Sequence, residues 1–141
     1  MKDIAKFFKI FSDEARLRML WLLTNHREIC VCDFMAVLGM TQSKASRHLA
    51  ALRHSGLVSD RKEGTWSYYS LSPIENQLEQ AQLDALRTML ANHPEATSML
   101  RELETLRKNR DGACAAESAN HPLLANKPAS RGRVLSKGTS R

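Results

Sequence analysis

The stretch from Thr41 to Leu71, TQSKASRHLAALRHSGLVSDRKEGTWSYYSL, constrains the fold of this chain more than any other. Thr41 reads as the N-cap of a helix over Gln42–Arg53. Within it Ala45, Leu49 and Leu52 recur at helical spacing and make one buried stripe. The opposite face carries Gln42, Ser43, Lys44, Ser46, Arg47 and His48, all hydrogen-bond donors and none acidic. An ordinary solvated face mixes both signs of charge, so this one points to a polyanion. Gly56 is a natural C′ residue after Ser55. Leu57–Glu63 and Trp66–Leu71 then read as two strands around a Gly64-Thr65 turn, with Arg61 and Lys62 near the tip. A donor-rich helix followed by a basic-tipped hairpin is the layout of a winged helix-turn-helix. The helix enters the major groove and the wing lies along the backbone or in the minor groove. The plainer alternative, an amphipathic helix and a surface hairpin, leaves the carboxylate-free face unexplained.

The flanking segments supply the rest of such a domain. Cys32–Leu38 reads as the first helix of the helix-turn-helix, with Gly39-Met40-Thr41 as the tight turn. Ile4, Phe7, Phe8 and Phe11 share a helical face that must dock on the core or on a second subunit. Ser12 is expected to cap the next helix, with Asp13 and Glu14 in its first turn. Leu17, Leu20 and Trp21 form its apolar set, and Met19, Leu22 and Leu23 widen the arc until the helix is buried on most sides. After the wing, Ser72-Pro73 is expected to start a helix running to Ala91. That helix has two apolar seams: Leu78, Ala81, Ala85 and Met89, and Leu83, Leu86 and Leu90. A helix apolar on two sides needs another chain to cover one of them, so a homodimer is expected.

The expected fold class is mostly α with a small β-hairpin wing (α+β), dimerised through the N-terminal and post-wing helices. Residues 1–91 would form the DNA-binding and dimerisation domain, and residues 92–110 an additional C-terminal helix. Residues 111–141, rich in Gly, Ala, Ser, Asn and Pro, would form a disordered basic tail.

A net charge of +6 and a pI near 9.5 over 141 residues favour an anionic partner without naming one. Charged residues near the N-terminus leave no signal peptide, and no apolar run approaches the roughly 20 residues of a spanning helix. An odd count of three cysteines favours reduced thiols or a metal site over disulfides. The expectation is a soluble cytoplasmic protein with no membrane partner.

Cys30 and Cys32 stand two apart at the start of a helix. Regular helix would point them roughly 200° from each other, whereas extended backbone would point them the same way. A two-thiol site therefore requires this helix end to be extended or unwound, and a helix N-terminus lowers thiol pKa. Two small buried apolar residues are the alternative.

The segments Glu28-Ile29-Cys30-Val31-Cys32-Asp33, Gln42-Ser43-Lys44-Ala45-Ser46-Arg47-His48-Leu49, Leu52-Arg53-His54-Ser55-Gly56-Leu57-Val58 and Arg61–Leu71 together resemble the arsenical-responsive branch of the ArsR/SmtB family. The resemblance covers about residues 4–90. It implies a homodimeric winged-helix repressor that sits on double-stranded operator DNA until trivalent arsenic or antimony binds its cysteine thiolates. Family members of this kind carry a third cysteine, as Cys-x-Cys-x-x-Cys, where this chain has Met35. Either Cys114 completes the site, from its own subunit or its partner's, or two thiolates suffice, which would suit an organoarsenical or a weaker antimonite site. The candidate ligands are therefore Cys30, Cys32 and Cys114. The candidate DNA contacts are Thr41, Gln42, Ser43, Lys44, Ser46, Arg47, His48, Arg61 and Lys62. Drawing the thiolates together would tilt the support helix and with it Lys44 and Arg47.

Three rivals remain. A zinc or cadmium sensor of the family would place a carboxylate and histidines along the terminal helix. Here Asp84 is followed two residues on by Leu86, and His93 three on by Ala96, which leaves that site half absent. A thiol redox switch would need a strained disulfide between Cys30 and Cys32. A thiol enzyme would need a nucleophile with a paired base, and none is legible. No catalytic residue and no organic cofactor are expected.

Overall fold

Five consecutive buried residues, Met19 to Leu23, make α2 (Glu14–Asn25) the axis of the core. The computed structural model describes residues 1–117, with side chains through Asp111. The other elements, in chain order, are α1 (Lys2–Ile10), β1 (Ile29–Cys30), α3 (Val31–Leu38), α4 (Gln42–His54), β2 (Val58–Glu63), β3 (Trp66–Leu71), α5 (Gln77–Leu90) and α6 (Pro94–Glu117). The chain divides into a unit Met1–Leu106, which holds this core, and a unit Arg107–Arg141. Phe34, Leu49, Leu52, Val58, Leu86, Met99 and Leu103 close on α2 from the other elements. Each such side chain contributes roughly 1.5–3 kcal/mol on burial. Trp21 ties α2 to the first turn of α6, its Nε1 donating to the Ala96 carbonyl at 3.0 Å.

The cap of α2 is Asp13 rather than Ser12. The Asp13 carboxylate accepts from the Arg16 backbone N–H at 3.0 Å, while the Ser12 hydroxyl donates back to the Lys9 carbonyl at 2.7 Å. Both residue types cap well, and Ser12 is consumed in closing α1. The helix after the wing also starts later than Pro73. Asn76 is its N-cap and accepts from Glu79 N–H at 3.0 Å, while Glu79 reaches back to Glu75 N–H at 2.9 Å. This reciprocal box satisfies two orphan donors at once, which a proline at the first helical position cannot do.

The hairpin forms as its pattern predicts, with Glu63 paired to Trp66 across Gly64-Thr65 and a left-handed Gly64 at φ 61°. A third strand joins it. The sheet order is β1-β3-β2, all antiparallel, with Ile29 opposite Tyr69 and Cys30 opposite Tyr68. Helix α6 extends to Glu117, inside the segment whose composition suggested disorder. Ala113, Ala115 and Ala116 are strong helix formers and account for the extension. The remainder of the expected basic tail lies outside the described residues. No helix among the described residues is long and apolar enough to cross a membrane.

Candidate nucleic-acid interface and thiol site

Helix α4 is set by its two ends and one stripe. Thr41 Oγ1 accepts from the Lys44 backbone N–H at 3.2 Å, so the hydroxyl is engaged as the cap. Ala45, Leu49 and Leu52 are fully buried and fix the rotation of the helix. That rotation leaves Gln42, Ser43, Lys44 and Arg47 exposed and Ser46 half-buried. Upstream, α3 ends at Gly39 in the left-handed region (φ 60°, ψ 41°), and Met40 N–H closes on the Met35 carbonyl. This conformation disfavours residues with a Cβ, and it turns the chain directly into the Thr41 cap.

His48 faces inward. Its side chain is 12% exposed, and Nδ1 lies 3.7 Å from Asp13 Oδ1. Burial pushes the His48 pKa below its usual value; Asp13 opposes this, while Arg16, Arg47 and Lys44 reinforce it. Burial would raise the Asp13 carboxyl, but the Arg16 backbone hydrogen bond and the Arg16 and His48 charges hold it below its usual value. Around His48 the cations that α4 presents outward are Lys44 and Arg47; Arg53, also exposed but further along the helix, pairs with Asp60 at 3.1 Å.

Both wing cations are exposed, but Arg61 is fastened across the sheet. Arg61 Nε and Nη2 donate to the two Glu28 carboxylate oxygens at 3.0 and 2.6 Å, and Nη1 donates to Glu63 at 2.9 Å. Its guanidinium also lies 4.7 Å from the centre of the Tyr68 ring. Glu28 first, and Glu63 after it, raise the Arg61 pKa further above its already high value. Trp66, 49% exposed at the hairpin tip, adds an aromatic surface that sequence reasoning assigned to a strand and to nothing else.

The thiols occupy the junction between sheet and helix-turn-helix. Cys30 is the last residue of β1 and the N-cap of α3, with extended backbone (φ −72°, ψ 147°). It is buried, while Cys32 in the first turn of α3 is exposed. Only Cys30 is extended; Val31 and Cys32 already belong to the first turn of α3. Burial pushes the Cys30 pKa up; the Cys32 N–H lowers it in part, and the neighbouring Cys32 and Asp33 charges raise it. At Cys30 the helix N-terminus does not produce the net lowering that the sequence suggested, because desolvation outweighs it. Asp33 is the buried charged residue of this region. Among the described residues no group of three His, Cys, Asp or Glu side chains is placed to hold a metal ion. The Cys114 backbone lies in α6, and its side chain lies outside the described residues.

The two seams of α5 also separate. Leu83 and Leu86 are buried, whereas Ala81, Ala85 and Met89, the last 76% exposed, face outward. On α1, Ile4 and Phe8 are exposed as well.

A helix-turn-helix backed by a three-stranded antiparallel wing sheet is the fold of the winged-helix transcriptional regulators. Residues 13–60 match the profile described as "Bacterial regulatory protein, arsR family". The chain is 53% identical over 68 residues to an arsenical resistance operon repressor of Escherichia coli (strain K12), covering 48% of this chain and 58% of that protein. It is 41% identical over 69 residues to a cadmium resistance transcriptional regulatory protein CadC homolog of Staphylococcus aureus, covering 49% and 57%. Among solved structures, reduced HlyU from Vibrio cholerae N16961 superposes with a TM-score of 0.54 at 32% identity, covering 62% of this chain and 88% of that one. Residues 13–60 form a helix-turn-helix domain of the arsR family of bacterial regulatory proteins. The chain's match to the two curated relatives spans a little over half of their length. Family and fold are those of transcriptional regulators, not enzymes.

Proposed function

We propose that this protein is a cytoplasmic repressor that binds operator DNA as a homodimer and is released when a trivalent arsenical or antimonite binds Cys30 and Cys32. The observation that carries this reading is the placement of Cys30 and Cys32 at the junction of β1 and α3, Cys30 as the extended N-cap and Cys32 in the first helical turn. That helix leads through the Gly39 turn into the exposed donors of α4. Gln42, Ser43, Lys44 and Arg47 would meet the major groove, and Lys62 would meet phosphate. The outward seam of α5 and the exposed residues of α1 would meet a second copy.

Trivalent arsenic carries exchangeable hydroxyl groups. Each thiol that replaces one gives a sulfur–arsenic bond, and the thiol proton leaves in water. Cys30 and Cys32 would supply two such bonds, with Cys114 as the candidate third; Met35, a neutral thioether, is a poor substitute. Release requires only that the ligand favour the DNA-free form. A differential of about 3 kcal/mol weakens operator binding roughly a hundredfold.

A second reading, a cadmium-responsive repressor, draws on the cadmium resistance relative and on the softness of the thiol pair. Against a zinc-type site on the terminal helix, Asp84 is already engaged by Gln80 at 2.8 Å and Arg87 at 3.2 Å. Fluorescence anisotropy of the protein on its own upstream DNA separates these readings. Arsenite, methylarsenite or antimonite should release the DNA, and zinc and cadmium should not. Release by cadmium alone would favour the second reading. A Cys114→Ser variant that releases normally would leave Cys30 and Cys32 as the whole site.

A further inference from the structure

Side chains alternate across a sheet, and residues paired between neighbouring strands share a face. Cys30 pairs with Tyr68, and Tyr68 with Arg61, so the three form one row across β1, β3 and β2. Glu63 and Trp66, paired at the hairpin tip, lie on the same face. Glu28, two residues before Cys30, closes on Arg61 with both carboxylate oxygens. The residue that the sequence offers as a wing phosphate contact is therefore fastened to the strand that carries a thiol.

Strand β1 is two residues long and pairs only with β3 in the sheet. Displacing Cys30 shifts β1, and Glu28 lies immediately before that strand. The Arg61 guanidinium follows, because a bidentate carboxylate fixes its orientation as well as its distance. Arg61 stands two residues from the hairpin tip, on the arm that also presents Lys62. An ion pair this exposed contributes little to stability, so it can be removed without unfolding the domain.

We infer that Glu28 and Arg61 are positioning residues that carry occupancy of the thiol pair to the wing, an inference that rests on the thiol site proposed above. It supplies a second route to the DNA, through the sheet, beside the tilt of α3. The test uses the full chain with phenylarsine oxide as a dithiol probe, free-thiol counting, operator binding, and hydrogen exchange of the wing segment Arg61–Ser67. The wild type, Glu28→Gln and the swapped pair Glu28→Arg with Arg61→Glu are compared. All three should lose two free thiols to the probe. Wing exchange should change at least about threefold in the wild type, remain unchanged in Glu28→Gln, and respond again in the swapped pair. A purely structural ion pair would alter basal exchange without removing the response. The inference is overturned if Glu28→Gln responds like the wild type, or if the wild-type wing is unmoved with its thiols filled. Filled thiols and a responding wing without DNA release would support the inference and overturn the proposed function alone. Thiols that never fill would overturn both.

Discussion

His48 Nδ1 lies 3.7 Å from Asp13 Oδ1, so a residue of the exposed donor helix is turned back onto the N-cap of α2. This contact docks α4 on the core at the level where its outward cations begin. It also gives the domain a titratable group that is more than four-fifths covered.

Burial lowers the His48 pKa from 6.5, so the unfolded chain takes up this proton before the folded one. The stabilisation is present above the unfolded value and is lost as pH falls through the folded value. Urea midpoints should therefore fall more steeply from pH 8 to pH 5 for the wild type than for His48→Gln. The same variant should keep operator affinity within about threefold of wild type, a shift well under 1.4 kcal/mol. A larger loss would return His48 to the DNA interface.

The wing cations should separate in a salt titration. Lys62→Ala removes one phosphate contact and should reduce the log–log salt slope by about 0.9. Arg61→Ala should leave that slope nearly unchanged, because its guanidinium is spent on Glu28 and Glu63. Equal slope changes for both variants would place Arg61 on phosphate in the complex.

Met89 is 76% exposed on the outward seam of α5. Met89→Glu puts a charge where a second copy is expected to pack, with little consequence for a separate chain. Sedimentation should show a shift toward monomer, and thermal unfolding should still be cooperative. A dimer of unchanged stability would move the interface elsewhere.

Trp21→Phe removes the indole N–H that the Ala96 carbonyl accepts in the core. Leaving that acceptor unsatisfied costs about 1–3 kcal/mol. Chemical denaturation should show this loss while operator affinity stays unchanged.

The reading helix and the hairpin were legible because each is encoded locally. Thr41 caps, Ala45, Leu49 and Leu52 repeat at helical spacing, and Gly64-Thr65 is a two-residue turn between strands of matching length. Strand β1 was not legible, since Ile29-Cys30 is too short to show alternation and its pairing comes from distant β3. The Asn76–Glu79 box was present in the sequence, but Pro73 offered a competing start signal. His48 sits where the apolar and polar arcs of α4 meet, so periodicity alone could not decide which way it turns. The Arg61–Glu28 pair joins residues 33 positions apart and depends on a sheet that only the fold assembles. The available signal was the two-residue turn, whose register sets Arg61 opposite Tyr68 on one face. The thiol pair was legible as spacing, but the burial that raises the Cys30 pKa was not.

The most direct measurement is the ratio of operator Kd values with and without saturating methylarsenite, for the wild type and for Cys32→Ser. Coupling of the exposed thiol to DNA affinity predicts a ratio of roughly a hundred in the wild type and near one in the variant, with equal affinities before the ligand is added. A wild-type ratio near one, or a Cys32→Ser protein that releases like the wild type, would contradict the account.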